Sequence, residues 1–326
     1  MQNVKFFLII FCLSLIYLFN LNNLVYAESS GSSGFYGFPD LTSLIKFDSN
    51  INFCGEAVPI NNQEVKERLE RELLVTLWNR PLVTLWMKRA GRYMPHIEKV
   101  LRENAMPDDL KYVVFIESSL LPHAGSAKHA VGLWQFIPST GKNFGLSIDK
   151  DLDQRKNVLL STQAAIKYLK KLYNNFGSWT LACAAYNMGE NGLKEDIYEQ
   201  KTNNYYYLYL PRETQEYIPK IVAAKIILSE PQKYGFFLSD EDLYKPLQYD
   251  KVSFELPLQI HIQSIAEAAD TYFKVIKDLN PDVKGSYLSK GHHSILIPKG
   301  SGNNFNSKLE KILSQIQQNN PKTKQK

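Results

Sequence analysis

The chain has 326 residues, with 38 Lys and Arg against 33 Asp and Glu, for a formal net charge of +5. Hydrophobic residues make up 44%, so a packed core can form, and the length allows two modest domains or one domain with an appendage. The mild positive charge suits an anionic polymer. With no P-loop, RNA-binding aromatic motif or basic run along a helix, it argues against a nucleic-acid partner.

The first 27 residues read as a signal peptide, with cleavage expected after Ala27. Lys5 supplies a positive start, Phe6 to Phe19 form an apolar run, and Val25-Tyr26-Ala27 resembles a small-residue cleavage site. Asn20, Asn22 and Asn23 interrupt the run short of the roughly 20 apolar residues a spanning helix needs. Cys12 follows the bulky Phe11 inside that run, which argues against lipid attachment. Residues 28–60 then read as a linker and irregular segment, opening with Ser29-Ser30-Gly31-Ser32-Ser33-Gly34.

Residues 61–235 read as one α-rich domain. Val65, Leu69, Leu73 and Leu77 recur every four residues among charged ones, the pattern of an amphipathic helix. Pro81 and Pro95 bracket a second helix with Leu85 and Trp86, and Pro107-Asp108-Asp109 reads as a third helix start. From there to about residue 230 the pattern stays helical.

Near residue 250 the pattern changes, and residues 250–300 read as a small α+β module. Val252 to Leu258 form a strand, Ile265 to Leu279 a helix ending at Asn280-Pro281, and Ser294 to Pro298 a second strand. Residues 301–326 read as an amphipathic helix, with Phe305, Leu309, Ile312, Leu313 and Ile316 on one face, and a frayed tail from Gln317. No internal repeat is present.

Beyond the signal segment two cysteines remain. Cys54 and Cys183 are a candidate disulfide in an oxidising compartment, although Cys183 in an Ala-rich helix equally reads as a buried thiol. His123 and His129 are six apart and His292-His293 fall in a loop, so no metal site or cofactor is expected.

The chemistry concentrates in Leu110 to Glu117. On a helix Leu110, Val113, Val114 and Glu117 share one face, which carries the carboxyl among core residues. An apolar setting raises a carboxyl's pKa, as a general acid at neutral pH requires. Position alone leaves open that Glu117 turns to solvent or pairs with a buried base. Downstream stand Glu117-Ser118, Gly132-Leu133-Trp134-Gln135-Phe136, Ala185-Tyr186-Asn187-Met188-Gly189, and Leu210-Pro211-Arg212-Glu213-Thr214 followed by Tyr217-Ile218-Pro219-Lys220. Gly132 lets backbone approach a ligand closely, and the Gln135 amide can donate to and accept from sugar groups. Tyr186 and Asn187 end an apolar helix at Gly189, which offers an aromatic face and an amide at a loop edge. Trp134, Phe136 and Tyr186 also have ordinary readings as core residues.

Taken in order, these motifs resemble those of the soluble lytic transglycosylases, closest to the membrane-bound lytic murein transglycosylase D subgroup. The resemblance implies a lysozyme-like helical domain acting on peptidoglycan glycan strands outside the cytoplasmic membrane. It implies Glu117 as the catalytic acid and base, Tyr217 as the residue that orients it, and Ser118, Gln135, Tyr186 and Asn187 as substrate-binding residues. No second carboxylate is implied, whereas most glycosidases use two; Asp149, Asp151, Asp153, Glu190, Glu213 and Glu216 are the nearby candidates for one. The C-terminal module resembles a divergent LysM domain that lacks the usual Gly-Asp-Thr-Leu stretch, so it either binds N-acetylglucosamine-containing glycan or only braces the catalytic part. Asp153-Gln154-Arg155 reads as a structural ion pair, and Tyr205 to Tyr209 as either distal sugar subsites or loop packing. Two rivals remain: a lysozyme- or chitinase-type hydrolase with a second carboxylate, and a catalytically silent wall-binding protein.

Overall fold

The computed structural model describes residues 41–46 and 50–318, so the signal segment, about half of the linker and the last eight residues lie outside the described residues. After a single helical turn at Leu41–Leu44, the described residues form a hairpin of β1 (Asn52–Phe53) and β2 (Glu56–Ala57). Its two turn residues, Cys54 (φ 53) and Gly55 (φ 82), are both left-handed, the geometry that matches the twist of a two-residue hairpin.

Eight α-helices follow in the larger part: α1 (Gln63–Trp78), α2 (Arg80–Glu103), α3 (Val113–Ser118), α4 (Pro138–Asn143), α5 (Val158–Phe176), α6 (Trp179–Met188), α7 (Glu190–Gln200) and α8 (Arg212–Ser229). Several starts are set by side-chain caps. Asn62 accepts from Glu64 and Val65, Asn157 from Leu159 and Leu160, and Ser178 from Leu181, each cap worth about 1 kcal/mol. The expected stripe of α1 is buried, with Leu69, Leu73 and Leu77 at 1% exposure or less. It packs on α8, which in turn packs on α3 and α6.

Pro95 does not end a helix as the sequence suggests, because α2 runs through it to Glu103. An interior proline costs roughly 3 kcal/mol. Fully burying one large apolar side chain returns about 1.5–3 kcal/mol, and beyond the proline Ile97, Val100 and Leu101 are all buried. Burial therefore outweighs the lost hydrogen bond.

The C-terminal module pairs β3 (Tyr249–Leu256) antiparallel with β6 (Gly291–Pro298) and β4 (Ile260–His261) with β5 (Tyr287–Leu288). The single helix expected over 265–279 is two, α9 (Ile262–Ala268) and α10 (Phe273–Leu279). Asp270 adopts φ 52 between them, and the Thr271 N–H bonds back to the Ala266 carbonyl at 2.9 Å. A left-handed residue of this kind closes a helix C-terminus. The terminal helix α11 (Gly302–Gln318) buries Phe305, Leu309 and Leu313 in the same core as β3, β6, α9 and α10.

Candidate active site

Glu117 sits in the last turn of α3. The segment before it is a 3-10 turn, Asp108–Tyr112, and not the start of one continuous α-helix. Asp109 is engaged elsewhere, accepting from the Cys54 N–H and the Lys225 ammonium at 2.7 Å each. The apolar face survives the change of helix type, since Leu110, Val113 and Val114 are all 0% exposed. The helix stops at Ser119 and Leu120, both left-handed (φ 52 and 59), and Arg89 from α2 holds the Ser119 carbonyl at 3.0 Å.

The Glu117 side chain is half-buried, and its pKa is pushed up to about 7, chiefly by desolvation. The Tyr217 hydroxyl, from buried α8, donates to its Oε1 and pulls the pKa the other way. The nearby charge of Glu213 adds to the upward push. Glu117 thus neither turns out to solvent nor pairs with a base: it is a carboxyl that holds its proton near neutrality, oriented by a phenol.

Gly132 to Phe136 form the opposite wall, and much of their hydrogen bonding is internal. The Ser118 hydroxyl donates to Leu133 O at 2.8 Å. Tyr186 donates to Trp134 O at 2.6 Å and packs against Phe136 and Tyr168. Both residues tie this loop to its helices. Gln135 is left-handed (φ 48), and its NH2 donates to Gly132 O at 2.8 Å and Ala124 O at 3.2 Å. Only its amide oxygen is left to meet a substrate donor, which halves the role expected of it. Trp134 is fully buried, with its indole N–H on Thr162. Asn187 accepts from Thr214 at 2.8 Å and lies 3.5 Å from Glu213, linking α6 to α8.

Gly132 is required for a reason other than the expected one. A Cβ on it would lie 1.9 Å from the Arg155 carbonyl oxygen, at φ +90, so the close approach is to protein backbone and not to ligand. Arg155 is the organiser of this wall: it pairs with Asp153 at 2.7 Å, both side chains buried, and donates to His129 O and Phe136 O at 2.7 and 3.0 Å.

Most candidate second carboxylates are occupied elsewhere. Glu190 binds Lys171 and Lys194, Glu216 binds Arg71, Arg212 and Lys220, Asp149 caps its own turn, and Asp153 holds Arg155. Glu213 alone among the six acts electrostatically on Glu117; it is 67% exposed and 3.6 Å from Lys128. Hydrophobic periodicity gave no sign of Glu213, of Arg89, or of Glu56, whose carboxylate accepts from Ser178, Trp179 and Thr180 at the start of α6. The tyrosine run divides. Tyr205 is buried with its hydroxyl on Thr214 O and Gln215 O, whereas Tyr207 and Tyr209 are exposed beside a cavity of about 210 Å³ lined by Asn62, Arg68 and Gln215. Cys54 and Cys183 are free thiols. No described group of three or more His, Cys, Asp or Glu side chains is arranged to hold a metal.

Against this geometry the transglycosylase SLT domain family matches residues 94–208, the stretch that carries Glu117, Gln135 and Tyr186. The LysM-like domain of lytic transglycosylase MltD matches residues 254–314. The chain is thus similar, over these two stretches, to SLT transglycosylases. It is 32% identical over 253 residues to the membrane-bound lytic murein transglycosylase D of Escherichia coli K12, an alignment covering 76% of this chain and 55% of that protein. It is also 39% identical over 88 residues to peptidoglycan transglycosylase gp16 of Escherichia phage T7, covering 26% of this chain and 7% of that protein. The solved 70 kDa soluble lytic transglycosylase of Escherichia coli aligns at 19% identity and a TM-score of 0.34, over 56% of this chain and 30% of that one. The chain spans about half the length of the curated transglycosylase D proteins it matches.

Proposed function

We propose that this chain is an exported peptidoglycan lytic transglycosylase of the SLT family that works with Glu117 as its single acid and base. The observation that carries the reading is a carboxyl with a pKa near 7, hydrogen-bonded by Tyr217, at the end of a helix whose apolar face is fully buried. Such a group is still protonated when substrate arrives and is ready to give that proton up.

Glu117 donates its proton to the oxygen joining N-acetylmuramic acid to N-acetylglucosamine, and the muramoyl C1–O bond breaks. The substrate's acetamido group stabilises the cationic centre, as in substrate-assisted glycosidases. The Glu117 carboxylate then takes the proton of the muramoyl C6 hydroxyl, O6 bonds to C1, and the 1,6-anhydro ring closes with the carboxyl protonated again. No water is consumed. A nucleophile on the same sugar needs no capture from solution, which is worth a large effective molarity if the cleft holds the ring in place. Asn187, the Gln135 amide oxygen and the Tyr186 ring are the substrate-facing groups, and Ser118 acts through Leu133.

One observation favours a second reading. Glu213 lies close enough to Glu117 to raise its pKa, so a water held between the two would give hydrolysis. Mass spectrometry of muropeptides released from purified sacculi decides between them. Products lighter by one water than reducing-end muropeptides, absent with Glu117→Gln, support the transglycosylase. Reducing ends that vanish with Glu213→Gln support the hydrolase, and release by neither protein would leave a binding role.

A further inference from the structure

Residues 149–157 lie between the wall facing Glu117 and the C-terminal module, and they touch both. On the module side Asp282 grips this segment at two points. Its backbone carbonyl accepts the Asp153 N–H at 2.8 Å, and its Oδ2 accepts the Asn157 Nδ2–H at 3.1 Å. Lys284 adds its N–H to Asp151 O and its ammonium to Asp149 O, both at 2.7 Å, and Leu152 pairs with Val283.

Between the two points held by Asp282 runs the 3-10 turn Gln154–Lys156, with Arg155 at its centre. Arg155 reaches the other way: its Nη1 donates to His129 O and Phe136 O, and its own carbonyl fills the space beside Gly132. The path from module to active-site wall is therefore two residues long, and each link is a hydrogen bond or close backbone contact.

Asp282 is only 6% exposed, and its Oδ1 is enclosed with no hydrogen-bond partner. An enclosed oxygen without a partner costs roughly 1–3 kcal/mol, more if charged. As stability alone that placement is unfavourable, whereas as a fixed two-point clamp it is accounted for. Resting on the proposed function, we propose that Asp282 is a positioning residue for the active site. By bracketing the Arg155 turn it holds residues 124–136, and with them Gln135, in register with Glu117. The LysM-like module then serves the reaction as a brace, whatever else it binds.

The test compares full-length Asp282→Ala and Asp282→Asn by steady-state kinetics on solubilised glycan strands and by amide hydrogen exchange. Asp282→Ala lowers kcat about tenfold at little-changed KM, the signature of a misplaced wall. It also speeds exchange at the Val131, Gly132 and Gln135 amides about tenfold, through local opening of their loop bonds. Asp282→Asn keeps the backbone carbonyl and an amide oxygen for Asn157, and restores both readouts. Leu309→Ala, a module-core change that leaves every hydrogen bond of this junction in place, lowers Tm and moves neither.

Wild-type kcat and protection in Asp282→Ala, or equal changes in Leu309→Ala, overturn the proposal. If Asp282→Ala does not fold, Asn157→Asp keeps the cap oxygen of α5, replaces the donor to Asp282 with a repelling carboxylate, and carries the same expectations. Should the wild-type chain cleave no glycan, the transglycosylase reading falls while hydrogen exchange still decides the brace.

Discussion

At the residue scale, the pKa of Glu117 makes the chemistry measurable. The acid must be protonated, so the rate falls as pH rises, with an alkaline limb centred near 7. Tyr217→Phe removes the bond that lowers this pKa. The limb then moves to higher pH while kcat falls, because the carboxyl loses its orientation; a pH–rate profile of the two proteins reads both effects, and an unmoved limb would remove Tyr217 from the site. Stability follows the same titration. The folded chain keeps the proton to about pH 7, while an unfolded chain releases it near the ordinary glutamate value of 4.5. Folding therefore binds a proton between those values, and stability falls as pH rises through them. Glu117→Gln abolishes that loss, gaining on the order of 2 kcal/mol at pH 8 and little at pH 4, after allowance for the carboxyl's partial exposure. Thermal melts at the two pH values check this, and an equal gain at both would contradict a raised carboxyl.

At the element scale, the site is made where regular structure stops. The left-handed pair Ser119–Leu120, the left-handed Gln135 and the positive φ of Gly132 all lie beside Glu117 or in the wall opposite it. Strain of this kind persists only where packing over-determines it, and here Arg89, Ser118, Tyr186 and Arg155 each bind a carbonyl of those turns. Gly132→Ala tests that account. A methyl 1.9 Å from a backbone oxygen, at a φ that side chains rarely adopt, forces Arg155 and its loop apart. We expect a loss of about 3 kcal/mol of stability in denaturant titrations and at least tenfold in activity. A fully active, stable Gly132→Ala protein would show that the wall tolerates displacement.

At the scale of the whole molecule, two sets of contacts among the described residues tie the helical part to the module and to the segment leading into it. One is the Asp282 and Lys284 junction. The other is the segment before β3, where Leu243 packs on Gly91, the Tyr244 N–H meets Lys88 O at 2.8 Å, and Lys88 binds Asp242 O. A module of this size has a small core of its own, and it gains from both ties. Calorimetry on the full chain is expected to give one cooperative transition for the two parts. Two resolved transitions would mean that the module folds alone and that the junction contributes little.

Much of this was legible in the sequence, for a definite reason. Burial follows periodicity, so the stripes of α1 and α11, the mainly helical character and the switch to an α+β module could be read directly, as could the apolar neighbours of Glu117. The ordered motifs carried the resemblance to the SLT transglycosylases, which the match over residues 94–208 repeats. Tertiary structure alone decided what opposed or outbid a local signal. Pro95 stays helical because the turns beyond it are buried, and Asp270 splits α9 from α10 by adopting a left-handed backbone. Side-chain commitments were equally hidden, since a hydrogen bond depends on partners distant in the chain. Sequence lists Ser118, Gln135 and Tyr186 as polar groups available to a sugar, whereas the fold places Leu133, Gly132 and Trp134 carbonyls against their donors first. The same holds for Gly132, whose missing side chain makes room for Arg155, and for Asp282, whose link to Asp153 spans 129 positions that only folding brings together.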